Sequence, residues 1–254
     1  MARAVLLFVL GDKEAFVKSA VRARRLLEPL AEYFNAAGRK ARFRAVEMWR
    51  VRVFGEEVSF RQAVYEGNEL EGEVKYELAY RLSLARSKIE GRVRCANTVW
   101  VRRRSNLVAI FDAPSRGLAR VLVEGMAYAF TGSAGVEPLR LSRADFESVE
   151  KWLAEREGHV IRAVFRGVPV EGDMMEEINV KRGELEATSF YRKLKGEAVR
   201  WRSLTFTMFL EGVGILTCRL ADYGALTVYG RADLEAFDAA LSTLEEVLGL
   251  RTVE

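Results

Sequence analysis

Two stretches of this chain, residues 98–130 and 213–248, share one order: strand, tight turn, strand, helix. In the first, the segment RVRCANTVWVRRRSNLVAIFDAP turns near Ser105-Asn106, and Pro114-Ser115 then opens a helix that runs through Phe130. In the second, Ile215–Leu220 and Ala225–Tyr229 flank Asp222-Tyr223-Gly224, whose glycine supplies the positive φ that such a hairpin requires. Asp233 then caps a helix with Leu234, Phe237, Leu241, Leu244 and Leu248 on one face. A hairpin followed by an amphipathic helix buries its apolar side only when the helix lies back on the sheet. The constraint therefore points to an α+β fold with antiparallel sheet segments. Turn and helix are about nine residues apart in both stretches, while side-chain identity between them is slight; duplication and coincidence both fit.

The remainder of the chain is consistent with a mixed α/β protein. Arg3–Leu10 is an apolar run without alternation, as expected of a strand buried on both faces. Gly11-Asp12 turns into a helical pattern through Phe34 that Pro29 interrupts and Gly38 ends. Ala41–Phe54 alternates as a strand, which makes the first 54 residues a strand–helix–strand unit compatible with a parallel crossover. Glu66–Glu73 is acidic with two glycines and is expected to be a loop, with a strand over Val74–Leu84. Ser142 and Asp145 form a capping-box variant before another helix, and Val160–Phe165 is a strand. Residues 166–186 are turn-rich, with Gly172–Glu177 as a solvated loop or first helical turn, and Ala198–Leu210 is strand-like. This suggests an N-terminal α/β region over 1–90 and a C-terminal α+β region over 91–254, or one domain.

Half the 254 residues are hydrophobic and 30% are charged, as in folded globular chains. The longest apolar run, Ala4–Leu10, is far below the roughly 20 residues of a membrane span and has no cleavage site behind it. No membrane role is expected. Cys95 and Cys218 are isolated in sequence and have no metal-type spacing, which fits two reduced thiols in a cytoplasmic protein. Arginine supplies 31 of 40 basic residues, against five Asn and one Gln, a thermophile-like balance that a GC-rich genome would also produce.

The inventory of reactive groups is thin. With His159 the single histidine, a Ser–His triad or a histidine-rich metal site is disfavoured. No phosphate-binding loop occurs, and Gly212-Val213-Gly214 lacks the rest of a dinucleotide fingerprint. The helix start at Gly11-Asp12 is an anion-type position, but Asp12 and Glu14 put negative charge there. Asp112, at the end of an apolar strand, and Glu73-Val74-Lys75 are the only hints of a metal-dependent hydrolase or nucleotide-binding enzyme. No catalytic residue, metal ligand or cofactor is assigned.

Basic residues interleaved with aromatics give the stronger pattern. Arg42, Arg44, Arg50 and Arg52 share one parity and therefore one face of a regular strand, opposite Phe43, Trp49, Val51 and Val53. Arg92, Arg94, Arg102, Arg103 and Arg104 surround the first hairpin. A third cluster comprises Arg192, Lys193 and Lys195 with Arg200, Trp201 and Arg202. Guanidinium forks grip phosphates and aromatic rings stack on bases, so these fifteen residues are candidates for binding DNA or RNA by a non-catalytic accessory protein. The alternative is an assembly subunit, a homodimer or a component completing a protein partner, with arginines neutralised by neighbours such as Glu47, Glu73, Glu77 and Glu90.

Overall fold

The computed structural model describes residues 3–22, 43–53, 68–84, 87–133, 135–170, 173–181, 185–197, 200–230 and 233–250. They show an α+β fold built on antiparallel strand pairs, with five helices among the described residues. The chain divides into two compact units. Among the described residues, 8–137 form the N-terminal unit, while 3–7 and 138–250 form the C-terminal one.

In the N-terminal unit the strands are β2 (Phe43–Val53), β3 (Asn68–Leu84), β4 (Ser87–Arg102) and β5 (Leu107–Phe111). They lie in that order, followed by the end of β1 (Arg3–Leu10). Helices α1 (Lys13–Arg22) and α2 (Arg116–Thr131) meet through Phe16 and Phe130, whose rings pack edge to face at 4.8 Å. Ser115 caps α2 by accepting from the Leu118 N–H at 3.2 Å, and Gly132 ends it in the left-handed conformation.

Two expectations fail in this unit. Asn68–Glu73 is not a loop: it opens β3, a strand of 17 residues paired along its length with β4. Burial and pairing explain the error, since Asn68 and Val74 are fully buried and the Trp100 indole of β4 donates to Glu71 at 3.0 Å. Nor do β1 and β2 form a crossover between neighbouring strands, because β3, β4 and β5 separate them and β2 pairs antiparallel with β3. The helical pattern beyond Arg22, with Pro29 and Gly38, lies outside the described residues.

In the C-terminal unit the order is β1, β11 (Ala225–Tyr229), β10 (Gly214–Ala221), β9 (Arg200–Leu210), β7 (His159–Val170) and β8 (Asp173–Lys181). The short β6 (Val136–Pro138) pairs with β1. Helices α3 (Arg143–Ala154), α4 (Ser189–Glu197) and α5 (Leu234–Val247) supply the apolar cover, the last burying Phe237, Ala240, Leu241 and Leu244. Ser142 and Asp145 make the expected capping box, and Asp233 caps α5 at 2.9 Å to the Ala236 N–H. Much of the region read as turn-rich instead belongs to the paired strands β7 and β8, and Asp173–Glu177 is the start of β8. Its strand propensity comes from pairing with a well-buried neighbour: Phe165 and Val168 of β7 are fully buried opposite Ile178 and Met175.

Both hairpins named from sequence are present, β4–β5 and β10–β11. Gly224 sits at φ 73° in the second, and a Cβ there would lie 2.6 Å from the Leu139 carbonyl oxygen. Gly132 has the same φ but open space around it. Gly224→Ala is therefore expected to cost about 3 kcal/mol, adding overpacking to left-handed strain. Gly132→Ala carries the strain alone, about 1 kcal/mol. Urea unfolding of the two variants checks the difference.

Candidate nucleic-acid interface

Arg42 lies outside the described residues, as do the side chains of Arg44, Arg50, Arg52, Arg92 and Arg94. Backbone register still constrains them. Irregularities between Phe43 and Met48 break the period-two ladder that would have aligned Arg44 with Arg50 and Arg52. Beyond them, Arg50 stands opposite Glu73 and Arg52 opposite Glu71, while on the next pair Arg94 stands opposite Glu77. Opposite charges facing each other across a ladder favour neutralisation within the sheet.

Of the arginine triplet, Arg102 is fully buried and donates from Nη1 to Asn68 Oδ1 at 2.8 Å. It belongs to the interior and cannot meet a ligand as the sequence suggested. Arg103 and Arg104 are exposed at the turn, and Lys13 Nζ donates to the Arg103 carbonyl at 2.7 Å. Among the hydrolase candidates, Glu73 is on β3 opposite Thr98 and Asp112 is exposed just past β5 in the left-handed region at φ 53°. The Lys75 side chain lies outside the described residues. Burial pushes the Cys218 thiol up to about 12, leaving it protonated and unreactive at neutral pH.

The third cluster is split by the sheet. Trp201 is buried, stacked on Phe146 of α3 at 5.4 Å and edge-on to Phe165 at 5.2 Å, so it is a core residue. Tyr191 of α4 packs on the same aromatic group. Arg192 and Lys193 therefore belong to the helix-bearing side, where Arg192 donates to the Ala187 carbonyl and Lys195 is bound to Glu150. Arg200 and Arg202 face the opposite way.

Strand phase explains this division. From Ser203 to Leu210, β9 alternates in direction: Leu204, Phe206 and Met208 are buried towards the helices, while Ser203 and Thr205, also buried, and the more exposed Thr207 and Phe209 point to the other face. Unbroken alternation would carry Trp201 to the face of Thr207. Instead Val164 of β7 pairs with Ser203 while Phe165 pairs with Trp201, so Arg202 is an extra residue, a β-bulge. The bulge returns Trp201 to the core and sets Arg200 opposite Arg166. A second bulge, at Ile161, similarly keeps Val160 in the core while bringing Arg162 opposite Thr205.

Following register across the strands places Lys181, Arg162, Thr205, Arg219 and Thr227 in one row of the face away from the helices. Glu177, Arg166 and Arg200 form another row. Arg162 Nε donates to Asn179 at 2.9 Å and Arg219 Nε to Ser203 at 3.3 Å, both neutral partners that leave the cation's charge in place. Arg166 is paired with Glu177 at 3.4 Å, and both groups are more than 40% exposed, so the pair is weak and screened. Arg200 and Arg202 both reach Asp222, a fully buried carboxylate, at 2.8 and 3.1 Å. These rows and the bulge hold six basic side chains and two carboxylates. Sequence reasoning passed over Arg162, Arg166 and Lys181 because they are scattered along β7 and β8, and only pairing gathers them. Arg219 is a single basic residue between Cys218 and Leu220, so no local cluster marks it.

Reversing Arg103 and Arg104 together to Glu should cost less than Arg102→Glu, which should cost at least about 3 kcal/mol by burying an unpaired carboxylate. Asp222→Ala should cost roughly 1–3 kcal/mol, well above Arg200→Ala, since the buried acceptor orders two guanidinium groups while Arg200 is half in water. Chemical denaturation distinguishes all four. The chain matches no known protein family, and no curated protein is similar to it in sequence.

Proposed function

We propose that this protein is a non-catalytic nucleic-acid-binding or accessory protein that holds phosphates on the face of its C-terminal sheet away from α3, α4 and α5. One observation carries the reading: Lys181, Arg162 and Arg219 share a row across β8, β7, β9 and β10, and the two arginines donate to neutral partners, Asn179 and Ser203. Arg162 and Arg219 are two strands apart, roughly 10 Å at the backbone, so their mutual repulsion in water is about 0.4 kcal/mol. That penalty is small enough to tolerate, and a phosphate chain running along the row converts it into attraction. Guanidinium groups on rigid strands also lose little freedom on forming bidentate phosphate contacts.

Affinity for DNA or RNA should fall linearly on a logarithmic plot against salt, as counterion release requires. Replacing Arg162 or Arg219 by Ala should lower the slope by about one each. Reversing both to Glu should lower affinity at least tenfold, about 1.4 kcal/mol, with the protein still folded. The control reverses Arg192 and Lys193, which lie on the helix side and should leave binding nearly unchanged. Fluorescence anisotropy with labelled DNA and RNA at several salt concentrations reads all of these. No detectable binding at low salt would sink the proposal.

A further inference from the structure

The same face carries a second kind of chemistry, and it selects among nucleic acids. Phe209 and Ile215 are directly opposite each other on β9 and β10 and are 61% and 76% exposed. Tyr229, 37% exposed, stands opposite Thr217, which in turn pairs with Thr207. All five residues share the parity of Thr205 and Arg219, so they continue the basic face towards the β9–β10 turn. The Phe209–Ile215 row is four residues from the Thr205–Arg219 row, about 13 Å along the strands. The face thus runs from guanidinium groups, over threonines, to an aromatic and aliphatic end.

A duplex has no group to set against that end. Its outer surface is sugar and phosphate, its bases are stacked inside, and reading their edges takes an element inserted into a groove. Phe209, Ile215 and Tyr229 on a broad sheet would meet charged backbone and gain nothing. A single strand presents both chemistries at once, phosphates for the arginines and unstacked base faces for the rings. We infer that the ligand of this face is single-stranded nucleic acid, with phosphates along Lys181, Arg162 and Arg219 and bases against Phe209 and Tyr229. This rests on the nucleic-acid reading proposed above.

The test uses the full-length protein with labelled oligothymidylate, oligouridylate and a blunt duplex, compared by fluorescence anisotropy at one salt concentration. Both single strands are expected to bind at least about tenfold more tightly than the duplex. Phe209→Ala and Tyr229→Ala are each expected to weaken single-strand binding roughly 5- to 150-fold, the range for losing one base stack. The salt slope should stay unchanged, since no phosphate contact is lost. Tyr229→Phe keeps the ring and should retain affinity. Both side chains are exposed, so thermal melts of the alanine variants should match the parent and exclude unfolding as the cause. Equal or tighter binding of the duplex, or alanine variants that bind like the parent, overturns the single-strand inference while leaving the phosphate-binding reading intact. Absence of binding to all three probes removes both.

Discussion

The C-terminal sheet depends on one irregularity, the bulge at Arg202, and on the carboxylate that holds it. A bulge leaves a residue out of the ladder, and its backbone groups must find other partners. Here the Asp222 N–H donates to the Arg202 carbonyl at 3.0 Å, while the Asp222 side chain accepts from the Arg202 guanidinium and pairs with Arg200. The Asp222 carbonyl accepts from the Leu141 N–H at 2.9 Å, which ties the approach to α3 to the same turn. A fully buried carboxylate is costly to desolvate, and two guanidinium partners with ordered geometry offset that cost. Arg202 also lies over the Tyr223 ring at 5.4 Å, so the turn residue next to Asp222 joins the arrangement.

Both functions of the sheet follow from that phase shift. On one side, Trp201 completes an aromatic group with Phe146, Phe165 and Tyr191 that anchors α3 and α4. On the other, Arg200 joins Arg166. Without the extra residue the indole would stand on the face of Arg162 and the core would lose its largest side chain. Stability and charge display are therefore coupled through one residue, which explains why partly exposed guanidinium groups sit beside a fully buried acid.

Elements whose burial follows a regular period could be read from the sequence. The two hairpin-then-helix units, the Ser142–Asp145 capping box and the Asp233 cap all rest on local rules that tertiary contacts did not override. Errors arose where pairing supplied what local sequence lacked. Asn68–Glu73 looked like a loop because glutamates and glycines disfavour strands, yet pairing with β4 holds it extended. The segment RWRSLTFTMFL gave its strand but not its faces, because nothing local marks Arg202 as the extra residue. The candidate site was less legible than the fold for the same reason. Local clustering favoured Arg102–Arg104 and the run around Tyr191, whereas the basic row is assembled from single residues on three strands.

Clustering of charge along a sequence and accumulation of charge on a surface are thus different quantities. In the N-terminal unit, Arg50, Arg52 and Arg94 stand opposite Glu73, Glu71 and Glu77, and Arg102 is withdrawn into the interior. In the C-terminal unit, Arg162 and Arg219 stand opposite threonines at 205 and 227, and their hydrogen bonds go to an amide and a hydroxyl. A hydrogen bond to a neutral oxygen fixes the direction of a guanidinium group without cancelling its charge. At physiological ionic strength, charges further apart than about 8 Å act nearly independently, so each oriented cation along the row presents its own local field. A ligand with regularly spaced charges gains from every one of them, whereas a single small anion gains from only one.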